Sequence, residues 1–169
     1  NNMGTRPISL QEKMSAIMQK RGLEMGVFVA YKDFKNPTLA GGKEEARSDF
    51  LKQIKASVEV AKRVNAKWFT VVPGTVDLRL AEGYQTVNVV ESLKQASSIL
   101  EPHGLVMVLE PLNWYRNHPG LFLRESPQAF NICRAVNSSS CKILFDIYHQ
   151  QIQEGNLIPN IEKCWDCLL

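Results

Sequence analysis

LVMVLE, residues 105–110, is the stretch on which the fold turns. Five apolar side chains follow one another without the polar alternation of a sheet face open to water. The run is also too short for an ordinary helix, so it predicts a strand buried on both faces. Strands of that kind belong to parallel sheets covered by helices on either side. An acid, Glu110, closes the run. The pattern recurs at residues 141–147, CKILFDI, with Asp146 near the end.

Two more strands are expected upstream, at 25–31 (MGVFVAY) and 67–72 (KWFTVV), the latter closed by Pro73-Gly74. Helical spacing fills the gaps. Ser9 reads as an N-cap with Glu12 as its capping-box partner, and Leu10, Met14, Ile17 and Met18 lead to a stop at Gly22. Phe50, Leu51, Ile54, Val58 and Ala61 mark a second helix after a polar loop reaching Ser48. Val87, Val90, Leu93, Ile99 and Leu100 mark a third, stopped near Pro102 and Gly104. Another begins at Ser126-Pro127, and the last at about Pro159.

The result is four strands alternating with helices in units of about 35 to 40 residues, hence an α/β fold with a parallel sheet. An open doubly wound sheet and a closed barrel both satisfy the pattern. No Gly-x-Gly-x-x-Gly follows any strand, and Gly41-Gly42-Lys43 lacks the remaining residues of a phosphate loop, so the nucleotide-binding open sheets lose their best support. A (β/α)8 TIM barrel needs eight strands and typically about 250 residues. The 169 residues would be too few to close one, and both architectures stay open on this pattern alone.

At 44% apolar and 22% charged residues, the composition is that of a globular chain with a core and excludes disordered and collagen-like classes. The net charge of +3 is small and its charges interleaved, which gives no support to nucleic-acid binding. No apolar run approaches the roughly 18 residues of a membrane span, and the first residues lack the order of a signal peptide, so a cytoplasmic location is expected. Cys133, Cys141, Cys164 and Cys167 show no disulfide-framework spacing and are read as reduced thiols. Cys164-x-x-Cys167 lies at the end of a predicted helix, where a redox pair would sit at a helix start, and its spacing is read as incidental. Asn137-Ser138-Ser139 matches a glycosylation acceptor that carries no meaning in a cytosolic protein.

In parallel α/β folds ligands bind beyond the carboxyl ends of the strands, where Glu110 and Asp146 stand. Either acid alone could be a structural carboxylate tied to a helix N-terminus or an arginine. Two acids on successive strands of a barrel mouth repel unless a cation lies between them, and a divalent metal is the economical partner. His149, three residues after Asp146, is expected at the same mouth, as are Asn113 and His118 from the loop after Glu110. A surface histidine is the plain alternative for His149. Trp114 and Tyr115 read as packing or rim residues.

Residues 109–123, LEPLNWYRNHPGLFL, and 144–157, LFDIYHQQIQEGNL, closely resemble the hydroxypyruvate-isomerase branch of the xylose-isomerase-like sugar isomerases and epimerases, and the likeness runs over nearly the whole chain. The resemblance implies a barrel holding one divalent ion, Mn or Mg, through acids ending the fifth and sixth strands and ligands from the seventh and eighth. It makes Glu110 the fifth-strand ligand that doubles as proton-transfer base, and Asp146 the sixth-strand ligand. His149 becomes the histidine of an Asp-x-x-His motif that contacts substrate; Asn113 and His118 are expected as substrate-binding residues from their loop position alone. On this registration residues 1–169 are one partial, incomplete TIM-barrel domain that opens just after the second strand and stops in the helix after the sixth, covering roughly barrel strands three to six. The first strand, the seventh, the eighth and their ligands fall outside it.

Related epimerases often carry Arg and Glu shortly after the Pro-Leu-Asn, where this chain has Trp114, Tyr115 and Arg116. The implied activity is isomerisation of hydroxypyruvate or a related small hydroxy-carbonyl compound through an enediolate, with little or no turnover expected from these residues alone. Alternatives are a sugar epimerase of the same family, a barrel endonuclease acting at abasic sites, and a non-enzymatic binding module. Open strand edges would favour a homo-oligomer; nucleic-acid and membrane partners are not expected.

Overall fold

The computed structural model describes residues 3–169. Four parallel strands form one sheet in sequence order: β1 (Phe28–Lys32), β2 (Trp68–Val72), β3 (Val106–Leu109) and β4 (Cys141–Ile143). The helices are α1 (Ile8–Lys20), α2 (Glu44–Val64), α3 (Glu82–Leu100), α4 (Ser126–Val136), α5 (Ile147–Gln153) and α6 (Leu157–Cys164). The sheet is that of a TIM barrel left unclosed, with β1 and β4 at its edges.

Strand alternation, shifted in β1 by a bulge between Val29 and Tyr31, divides the sheet into two faces. Phe28, Tyr31, Phe69, Val71, Met107, Leu109, Cys141 and Ile143 face the helices and join one continuous core with Phe50, Ile54, Leu93 and Leu100. The Phe28 and Phe69 rings meet at 5.5 Å, and Tyr31 meets Phe50 of α2 edge-on at 4.9 Å. Full burial of side chains this large is the main stabilising term, and truncating one to alanine costs roughly 3–5 kcal/mol. Thr70 and Val108, between them, face the inner side of the sheet.

Several boundaries differ from the sequence reading. α1 starts at Ile8 behind Pro7 with no side-chain cap, so Ser9 lies inside the helix. Leu10 and Ile17 are exposed, while Gln11 and Ser15 are buried. Gln11 donates to the Met3 and Arg6 carbonyls and accepts from Arg63 Nε at 2.8 Å, so its amide is satisfied on the inward face. On α3, Val87 is exposed and Val89, Leu93 and Ala96 form the packed face. β4 ends at Ile143 instead of Ile147, because Asp146 starts α5 there, a helix the sequence reading did not contain. α6 begins at Leu157, with Pro159 in its first turn.

Asn137 ends α4 in the left-handed conformation, which gives that residue of the Asn-Ser-Ser run a helix-terminating role. All four cysteines are free and buried; burial pushes the Cys164 and Cys167 thiols up, the opposite of an activated redox pair. At the top of β2, Gly74 has φ +101°, and a Cβ there would stand 2.5 Å from the Asn36 carbonyl and Thr38 hydroxyl. Only glycine lets the loops after β1 and β2 approach so closely. Thr75 pairs with Leu121, which carries the loop after β3 into the same cluster. No described helix is long and apolar enough to cross a membrane.

Candidate functional site

Glu110 follows the last residue of β3, and the chain there turns out of the sheet through Pro111. Asp146 stands three residues beyond β4 and N-caps α5, its carboxylate accepting from the Tyr148 N–H at 2.8 Å and the His149 N–H at 3.4 Å. The cap fixes the acid's orientation, and the first turn of α5 brings His149 back over it. His149 Nε2 lies 3.8 Å from Asp146 Oδ2. One ligand-type atom each from Glu110, Asp146 and His149 lies within 4.8 Å of the other two.

Glu110 is half-buried, and among the described residues it has no hydrogen-bond donor and no basic partner. Burial pushes its carboxyl above the usual carboxylate range, and the Asp146 carboxylate beside it pushes the same way. Burial lowers the His149 pKa against the opposing pull of Asp146, so the imidazole is neutral at neutral pH. The paired carboxyl groups are the hard oxygen donors of a site for a divalent cation, with the imidazole standing beside them.

Asn113 determines which imidazole nitrogen faces the acids. Its Oδ1 accepts from the Arg116 N–H at 3.1 Å and the Asn117 N–H at 3.0 Å, which fixes the amide so that Nδ2 points at His149 Nδ1, 2.6 Å away. Nδ1 is therefore an acceptor, and the proton of the neutral ring resides on Nε2, facing Asp146 and the mouth. Asn113 is fully buried. It stands behind His149 and not in the open mouth where the sequence reading set it.

His118 does flank the mouth. Its ring lies 5.4 Å from that of His149 and stacks on Phe34 at 5.2 Å, while burial and the neighbouring His149 lower its pKa. Phe34 was missed in the sequence, although its position two residues after β1 marks the same end of the sheet. Tyr148 was missed too; it abuts His149 edge-on and donates to Asn117 Oδ1 at 3.1 Å. Trp114 is a packing residue, with Nε1 donating to the Leu121 carbonyl at 2.6 Å and the Arg124 guanidinium 4.3 Å over its ring. Buried Val72, Leu112 and Leu121 make an apolar floor between the loops.

Residues 3–166 match the family model described as the xylose isomerase-like TIM barrel. A hydroxypyruvate isomerase of Escherichia coli (strain K12) is 28% identical over 125 residues, covering 74% of this chain and 47% of the relative. A protein of Mus musculus described as a putative hydroxypyruvate isomerase is 36% identical over 92 residues, 54% of this chain and 33% of the relative. The matches thus span a third to about half the length of these curated relatives. Among solved structures, a family 2 AP endonuclease from Brucella melitensis superposes with a TM-score of 0.78 at 22% identity, covering 94% of this chain and 61% of that one; at that identity the likeness concerns the fold.

Proposed function

Because the chain belongs to the xylose isomerase-like TIM-barrel family, we propose that its mouth serves the isomerisation of hydroxypyruvate or a related small hydroxy-carbonyl compound. The observation that carries this reading is the convergence of Glu110, Asp146 and His149 within 4.8 Å at the carboxyl end of β3 and β4. Glu110 and Asp146 would hold a divalent ion, Mn or Mg. When bound, such an ion supplies Lewis acidity that polarises a carbonyl and offsets developing oxygen charge.

The remaining chemistry falls to the side chains. Isomerisation requires a proton to leave the carbon beside a carbonyl and return to the neighbouring carbon. Glu110 is the proton shuttle, and its burial makes the ionised carboxylate a stronger base than one in water. His149, with its proton on Nε2, donates to a substrate oxygen as charge accumulates there. His118 and Phe34 wall the mouth, and Asn113 acts on substrate only through His149. A cytoplasmic setting and a small-molecule partner accord with this reading.

A hard divalent ion prefers about six donors, so two carboxylates leave most of the coordination to water. The 169-residue chain should therefore bind Mn2+ weakly and turn over hydroxypyruvate little or not at all. Water-proton relaxation during Mn2+ titration tests the site: binding should disappear in Glu110→Gln and Asp146→Asn. Binding indifferent to both substitutions would overturn the proposal. Robust metal-dependent conversion of hydroxypyruvate to its aldehyde isomer, followed by proton NMR, would contradict the expected inactivity.

A further inference from the structure

We propose that Lys32 is the carboxylate subsite of this mouth, so that it takes a small hydroxy-oxo acid anion in preference to a neutral sugar; the inference rests on the isomerase reading above. Sheet register supplies the first argument. Lys32 pairs with Val72, and Val71 pairs with Leu109, so continuing the register by one residue sets Val72 against Glu110. Tyr31, Val71 and Leu109 belong to the helix-side core. Lys32, Val72 and Glu110 therefore form a row on the inner face, with Lys32 and Glu110 about 9.5 Å apart across two strand spacings.

Side-chain contacts trace the same path above the row. Lys32 Nζ lies 5.6 Å from the Phe34 ring centroid, Phe34 stacks on His118, and His118 stands beside His149, which faces Asp146. One wall thus carries an ammonium at one end and the acid–imidazole group at the other. A three- or four-carbon hydroxy-oxo acid with its reacting carbons at Glu110 must direct its own carboxylate away from Glu110 and Asp146, and this wall leads it toward the ammonium.

The third argument is that the charge on Lys32 is uncommitted. Arg47, Lys52, Lys62, Arg79 and Arg124 each pair with a carboxylate. Lys32 is exposed and has no carboxylate partner among the described residues. The adjacent Asp33 does not serve, because its oxygens accept from the Lys35 and Asn36 N–H groups and the Asn36 amide. Phe34 holds the ammonium by a cation–π contact that leaves its N–H donors available.

The test titrates the 169-residue chain first with Mn2+ alone, then, loaded with Mn2+, with hydroxypyruvate and with dihydroxyacetone, its uncharged three-carbon counterpart, by calorimetry. In Lys32→Gln, hydroxypyruvate binding should weaken about 10- to 100-fold, the loss of one charge-assisted hydrogen bond. Mn2+ and dihydroxyacetone affinities should stay within about twofold, Lys32→Arg should restore most hydroxypyruvate binding, and the control Lys35→Gln should match the parent chain. Equal effects on both organic ligands, no effect on either, or selective loss in Arg116→Gln instead would overturn the subsite. Failure of the Mn2+-loaded parent chain to bind either ligand would remove the isomerase reading and the subsite together. Selective hydroxypyruvate binding that ignores Lys32 would remove the subsite alone.

Discussion

At Glu110 the folded state holds a carboxyl partly out of water beside a second carboxylate, with a pKa raised first by burial and then by Asp146. A group of this kind binds its proton more tightly folded than unfolded. Its contribution to stability is present below the ordinary carboxylate pKa and is lost as pH rises through the raised value. The metal-free protein should consequently lose stability across that window, and Glu110→Gln should abolish the loss. At neutral pH that variant should melt about 2–4 °C higher, equivalent to roughly 1 kcal/mol at this chain length, while losing Mn2+ binding. His149 has the opposite sign: its pKa is lowered, so its contribution is present above the ordinary histidine value and lost as pH falls through the folded one. Asn113→Asp gives a spectroscopic test of the amide's role. A carboxylate there accepts from Nδ1–H, moves the ring proton off Nε2, and should appear as a tautomer switch in nitrogen NMR shifts. Glu110 and Asp146 stand out in the sequence because each acid follows a run of strand-compatible apolar residues. The Asn113–His149 bond does not, since it depends on a loop folding back to donate two backbone N–H groups to one amide oxygen.

At the scale of elements, Asp146 both faces the metal-type cluster and caps α5. The roles separate by substitution. Asparagine caps as well as aspartate, so Asp146→Asn should keep α5 and lose Mn2+; Asp146→Ala should lose both and melt about 2–4 °C below the asparagine variant, the scale of one lost cap. Circular dichroism melting with Mn2+ titration reads both effects. This dual use also explains why the sequence placed β4 too long: CKILFDI is strand-compatible throughout, and only the cap made by Asp146 converts Ile147 into the first residue of a helix. The alternation of strands and helices was legible because apolar runs and helical spacing are local signals. α1 was misread at Leu10 and Ile17 because Gln11 met its hydrogen-bonding needs inside through Arg63, a partner 52 residues away. Apolarity alone does not decide which face turns inward when a polar side chain finds such a partner.

The whole molecule leaves both flanks of its sheet open. Ile8, Ile17 and Leu23 are exposed on one flank, and Ile147, Ile158 and Trp165 on the other. Beside β4, Leu168 makes a parallel bridge to Ile143, and the Leu169 N–H donates to the Ile143 carbonyl. This short pairing lies against a groove of about 320 Å³ lined by Ile143, Phe145, Ile161 and Leu168. Unpaired edges and apolar flanks promote association, so sedimentation velocity on the 169-residue chain should show concentration-dependent species larger than a monomer; a single monomeric boundary across the range would refute this. That a barrel wall is present was legible from the repeat of strand and helix, while the covering of its edges is a matter of long-range pairing that no local pattern encodes. The sheet order β1-β2-β3-β4 has a kinetic consequence. Each strand docks only on the one synthesised just before it, so the loop-closure entropy of every step is that of one crossover. The wall can grow vectorially behind the ribosome, one strand–helix unit at a time, and Glu110 and Asp146 converge only when the last of these units arrives.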